Sequence, residues 1–208
     1  MTKKDRVHTE GVGTASQDVA ELMEEFIGIA RRAVDLGIQT GTGGNISMRA
    51  GPDYFVKASG SSLYGMAGKD IVVVDRSGRV LSGAGRPTKE IKFHLGIYRT
   101  REDVGGIVHY HAPFATAFAV KGLRIPALTL HAKRNFSKMP VIPELQDGSQ
   151  ELADAVVRAF EDREVRLILL VSHGIVAVGE TLADAQALAE LAEETAKIAI
   201  FARFLDVS

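Results

Sequence analysis

Three histidines and a glutamate are the residues best suited to chemistry. His109 and His111 flank Tyr110 in the run Ile107–His111, IVHYH. The run predicts a strand, and in a strand residues two apart point to one face. Both imidazoles then reach a common point while Tyr110 faces the other way. Imidazole is the commonest side-chain metal ligand, and an aligned pair suits zinc. Taken alone, such a pair is as readily two surface or hydrogen-bonded core histidines. His173 shifts that balance, because it closes the apolar run VRLILLVSHG, where a polar ring is better placed for a site than for packing. Glu90 stands in the first turn of a helix opened by Pro87-Thr88. There a carboxylate complements the helix dipole, or serves as a fourth ligand or a general base beside a metal. Three imidazoles and one carboxylate satisfy a tetrahedral ion, and displacing the carboxylate opens a position for substrate.

A second set of residues could hold an anion. Thr42-Gly43-Gly44-Asn45 lies between a helix and a strand, Ser59-Gly60-Ser61-Ser62 follows a strand, and Thr88-Lys89 opens a helix. Each offers backbone N–H groups or hydroxyls, and Lys89 adds a positive charge. Each is also an ordinary turn when read singly. Neither a P-loop nor a GxGxxG dinucleotide fingerprint is present. His94, four residues after Glu90, is placed to hydrogen-bond it or to support the helix, while Tyr98 reads as helix packing and Asp70 and Asp75 as solvated strand-end charges. Ser172-His173 lacks a nucleophile elbow, which argues against a serine hydrolase.

The elements that must position these groups follow from periodicity. Apolar residues from Val19 to Val34 recur at three- and four-residue steps, predicting a helix capped by Ser16 and stopped at Gly37, after a loose arm over residues 1–15. Strands are expected over Asp53–Ala58, Ile71–Asp75, Arg79–Leu81, Ile107–His111, Ile125–Leu130, Val165–Val171 and Gly174–Val178. Helices are expected over Lys89–Arg101, Pro113–Val120 and Ser149–Phe160, and from a Thr181 cap to about Leu205. Helices and strands alternate irregularly and short turns join many strands. That pattern favours an α/β layered domain with a largely antiparallel or mixed sheet over a Rossmann fold.

The chain is 208 residues long, 46% apolar and 25% charged, which suits one globular domain over residues 16–208. A formal charge of −1 gives no basic surplus for nucleic acid. No cysteine is present, so a metal must rest on His, Asp or Glu. No signal peptide is visible, and no apolar run approaches the roughly 20 residues needed to cross a bilayer. A cytoplasmic enzyme with no membrane partner is the expectation.

The segments GTGGNISMR, KASGSSL, GRPTKEIKFHLGIYRTREDVGGIVHYHAPFATAFAV and SHGIVAVGETLADA, in this order and at these separations, resemble the class II aldolase/adducin family from about Glu21 to Leu205. The resemblance implies a three-layer α/β/α unit with a central, largely antiparallel mixed sheet, and a homotetramer with sites between subunits. It implies one Zn2+ per subunit on His109, His111 and His173. Glu90 matches the catalytic acid/base, which also ligates the metal when substrate is absent. Gly44, Asn45, Ser59, Gly60, Thr88 and Lys89 match the substrate phosphate cradle.

The implied activity is a lyase acting on a small phosphorylated ketose, with the enediolate of dihydroxyacetone phosphate as intermediate. Two departures bear on the substrate. Aldolases of the family commonly carry two hydroxyl residues before the glutamate, whereas Thr88-Lys89 resembles the branch that decarboxylates four-carbon oxo-acid phosphates. A tyrosine that the aldolase branch supplies from a neighbouring subunit is missing, and His131 stands in that stretch. Decarboxylation, epimerisation at the fourth sugar carbon, metal-dependent hydrolysis and a non-catalytic adducin-like scaffold are the alternatives. Retention of all three histidines and Glu90 argues against the scaffold.

Overall fold

The computed structural model describes residues 11–136 and 138–205. Eight strands form one sheet: β1 (Asn45–Ala50), β2 (Asp53–Lys57), β3 (Ile71–Val74), β4 (Val80–Ser82), β5 (Gly106–Tyr110), β6 (Val141–Ile142), β7 (Leu167–Leu170) and β8 (Gly174–Gly179). Their order is β4-β3-β2-β1-β5-β8-β7-β6. Every neighbouring pair is antiparallel except β6 and β7. The helices are α1 (Gly11–Asp35), α2 (Ile91–Thr100), α3 (Pro113–Val120), α4 (Leu130–Asn135), α5 (Gln150–Phe160) and α6 (Leu182–Ala202).

Strand alternation sorts the core into two layers. Leu167, Leu169, Ile175 and Ala177 join Val108 and Tyr110 against α1, α3 and α6. Ile168, Leu170, Val176 and Val178 join Ile107 against α2 and α5. A strand buried on both faces has to be apolar at every position, which is why LILL and GIVAVG read as continuous runs. The result is the three-layer α/β/α arrangement with a mixed, mainly antiparallel sheet. Caps mark the helix starts: Ser149 Oγ accepts from the Leu152 N–H at 3.0 Å, and Thr181, the expected cap of α6, accepts through Oγ1 from the Asp184 N–H at 3.1 Å.

Three expectations are corrected. Ile125–Leu130 is not a strand; Pro126 removes a ladder donor, and Thr129 instead caps α4 by accepting from the Ala132 N–H at 3.1 Å. The first helix begins at Gly11, so Ser16 lies inside it rather than at its cap, and the expected arm is helical backbone over residues 11–15. Residues 1–10 of that arm lie outside the described residues. The helix of the GRPTKE segment begins at Ile91 with Glu90 as its N-cap, two residues later than Lys89. That small shift places Glu90 in the turn that faces the sheet end.

Candidate metal centre

The chain's path brings the four groups together at one end of the sheet. β5 carries His109 and, one residue past its end, His111. The three-residue turn Val171–His173 joins β7 to β8, the strand beside β5, and so delivers His173 to the same place. Ser172 in that turn adopts φ 58, a left-handed conformation that a non-glycine residue holds only when its surroundings impose it. The ring centroids lie 5.1 Å apart for His109–His111, 4.6 Å for His109–His173 and 5.1 Å for His111–His173. One nitrogen from each falls within 4.8 Å of the other two.

The loop before β1 closes over this group. Gln39 Oε1 accepts from the His111 N–H at 2.8 Å. Gly44 turns with φ +62, and a side chain there would run into the Gln39 amide and the His109 carbonyl. Glycine is what lets the Thr42–Asn45 loop approach so closely.

Glu90 completes the centre from α2. Its Oε2 lies 3.3 Å from His109 Nε2 and its Oε1 lies 3.6 Å from His173 Nε2. His109 Nδ1 sits 2.9 Å from the Ile175 carbonyl. A carbonyl only accepts, so Nδ1 carries the proton and a neutral His109 presents a bare Nε2. Glu90 Oε1 and His109 Nε2 are both fully buried without a hydrogen-bond partner. His109 Nε2 faces the carboxylate through Oε2 and Oε1 faces His173, so acceptors left without donors in this dry site call for a cation beside them. Three imidazole nitrogens and a carboxylate oxygen make a donor set that fits a divalent ion of zinc's class.

The electrostatics agree. Burial, reinforced by the neighbouring imidazoles, lowers His111 to about 4 and pulls His173 down as well, keeping both neutral as ligands must be. Burial works to raise Glu90, but positive charge at the His109 position and the Asn45 amide outweigh it and hold the carboxyl below its usual value.

A buried chain of side chains supports Glu90. Asn45 Nδ2 donates to Glu90 Oε2 at 2.8 Å, and Asn45 Oδ1 lies 2.5 Å from His94 Nε2. His94 Nδ1 lies 2.7 Å from Ser47 Oγ, which lies 2.9 Å from the Tyr98 hydroxyl. His94 therefore reaches Glu90 through Asn45 and does not bond it directly. Tyr98 does more than pack, although its ring also stacks on Tyr54 at 4.7 Å.

A cavity of about 320 Å³ opens beside the centre. All six expected cradle residues, Gly44, Asn45, Ser59, Gly60, Thr88 and Lys89, line it together with Glu90, His111 and His173. Their roles there differ from the expectation in two places. The Asn45 side chain is committed to Glu90 and His94, and the Lys89 ammonium pairs with Asp147 on the cavity rim. His131 is exposed and lines a separate, largely apolar groove along α6, so this chain does not bring it to its own centre. Lys57, which the sequence reading passed over, also lines the cavity. Its signal was a lysine in the strand run DYFVKA, immediately before the SGSS loop.

The chain belongs to the class II aldolase and adducin family: the family described as Class II Aldolase and Adducin N-terminal domain matches residues 24–200. It is 32% identical over 176 residues to an L-fuculose phosphate aldolase of Methanococcus maripaludis, covering 85% of this chain and 94% of that one. It is 36% identical over 177 residues to a 5-methylthioribulose-1-phosphate/5-deoxyribulose-1-phosphate aldolase of Rhodospirillum rubrum, covering 85% and 79%. Among solved structures it resembles YgbL of Klebsiella pneumoniae, titled a putative aldolase/epimerase/decarboxylase, with TM-score 0.82, 28% identity and coverage of 90% and 92%. The chain is an enzyme of the class II aldolase type, a lyase.

Proposed function

We propose that the chain is a zinc-dependent aldolase that cleaves or forms a C–C bond of a small phosphorylated ketose, releasing or consuming dihydroxyacetone phosphate. The observation that carries this reading is the pair of buried, unpartnered acceptors, Glu90 Oε1 and His109 Nε2, within the three-histidine cluster. His109, His111 and His173 would hold the ion. Zinc there supplies Lewis-acid stabilisation of the negative charge that develops on the substrate's oxygens.

The chain's own residues do the rest. Glu90 Oε2 is fixed by Asn45, which leaves Oε1 to take a proton from substrate or return it. The Gly44 and Ser59-Gly60 turns line the cavity and would hold a phosphate, anchoring the substrate so that its reacting carbon lies near Glu90. The sequence feature that raised CO₂ loss was Lys89. Its pairing with Asp147 leaves aldol chemistry as the simpler use of the site.

Glu90→Gln keeps the shape and one acceptor oxygen. The expected result is unchanged zinc content by elemental analysis, with turnover lower by about a hundredfold or more. Substantial remaining activity would refute the acid/base role. A coupled assay that scores aldehyde and CO₂ separately checks the reaction class, and CO₂ without aldehyde would replace aldol cleavage by decarboxylation.

A further inference from the structure

His111 stands just outside the sheet. β5 ends at Tyr110, whose register partner is Ile175, and α3 begins at Pro113, so His111 and Ala112 form the link between them. The far end of that link is fixed from α6. Glu193 accepts from the Phe114 N–H at 2.9 Å and from the Ala115 N–H at 2.8 Å, a cap that Ala112 has no side chain to give. The two rings of the pair are held differently. His109 Nδ1 donates to the Ile175 carbonyl, which sets the direction of that ring. His111 bonds through its backbone N–H, and its ring has no hydrogen-bond partner among the described residues.

Gln39 makes that backbone bond, and it is built to make it. The residue is 3% exposed, and both ends of its amide are engaged: Oε1 accepts from the His111 N–H at 2.8 Å and Nε2 donates to the Thr40 carbonyl at 2.7 Å. The end of α1 fixes its backbone. Gly37 turns with φ +70, and the Ile38 and Gln39 N–H groups both donate to the Ala33 carbonyl, at 2.9 and 3.3 Å. Gly43 brings the loop down on the same two groups. A Cβ there would come within 2.9 Å of His111 Nδ1 and 3.0 Å of Gln39 Nε2. Without Gln39 the His111 N–H would lose its acceptor in a link that has no ladder to replace it.

We infer that Gln39 is a positioning residue for His111: by accepting from its N–H it fixes the backbone from which that imidazole reaches the ion, and so raises the centre's affinity for zinc. The inference rests on the reading of the three-histidine cluster as a zinc site. An imidazole with no bond of its own to aim it takes its direction from its backbone and its packing. Removing the anchor lets the His111–Ala112 link turn, and the lost order falls on metal binding through this one ring.

The test is a double-mutant cycle on the full chain, read as zinc affinity by competition with a chelating dye. Gln39→Met keeps the length of the side chain and removes the acceptor. Made alone, it should weaken zinc binding by about ten- to a hundredfold. In a His111→Ala background the same change should cost nothing further, because no imidazole is left to position. Equal cost in both backgrounds, or no cost in either, overturns the role of Gln39, while zinc binding by wild type keeps the reading of the cluster intact. Absence of zinc binding by wild type overturns both. Hydrogen exchange on wild type decides the matter without a variant. The His111 amide should exchange slowly with zinc bound and with zinc removed. Exchange at the rate of an unprotected amide in the zinc-free protein refutes the inference, since the ion and not Gln39 would then hold the link.

Discussion

Glu90 carries its two oxygens in unlike surroundings, and the difference traces back through four side chains. An ionised carboxylate only accepts, so Asn45 must turn its Nδ2 toward Glu90 and its Oδ1 toward His94. His94 then donates from Nε2, accepts at Nδ1 from the Ser47 hydroxyl, and Ser47 accepts from Tyr98. Every donor in the chain points toward the carboxylate. His94 has to stay neutral for this to hold, and burial lowers it to about 3. In the unfolded chain the same imidazole titrates near its ordinary value of 6.5. The unfolded state thus binds the extra proton between those values. The stability that neutral His94 contributes is complete above about pH 6.5 and is lost as pH falls toward 3. Replacing His94 by Gln should make urea-unfolding free energy less steep against pH between about 4 and 6, by up to about 1.4 kcal/mol per pH unit. An unchanged slope would mean that the ring is not held neutral. The motif residues themselves were legible, because ligand types at strand spacing are a local signal. The partners of Asn45 were not, because a side chain's partner is set by which strand lies next to it.

At the scale of elements, legibility followed burial. β5, β7 and β8 are covered on both faces, and their unbroken apolar runs declared them. β6 has two residues and no period to read, and α4 has six residues whose cap, Thr129, sits inside a run that looks extended. Glycine marks where elements touch most closely. Gly106 opens β5, and a Cβ there would collide with the backbone of Leu182 at the start of α6. Backbone cannot swing aside as a flexible side chain can. Gly106→Ala should therefore destabilise the fold by at least about 1–3 kcal/mol, read from denaturant midpoints at constant slope. Because β5 also carries His109, the same variant should lower zinc affinity. A variant as stable as wild type would show that the α6 contact is looser than the structure has it.

On the scale of the whole molecule, the candidate metal centre is a product of topology. Glu90 arrives on α2, His109 and His111 on β5, and His173 on the turn before β8, and only the sheet order beside β1 brings them to one point. No unfolded chain holds these groups within one ion's reach, so a bound ion stabilises the native state by mass action. Free zinc at about a hundred times its dissociation constant should add about 2.7 kcal/mol to the unfolding free energy, and a chelator should remove that increment. His173 is the proposed ligand to test, since it sits on a turn and its side chain is less buried than those of His109 and Glu90. His173→Ala should unfold, in chelator, close to where wild type does in chelator. It should then gain little when zinc is restored. A full zinc-dependent shift in that variant would show that the ion sits elsewhere, and the convergence of the three imidazoles would need another explanation.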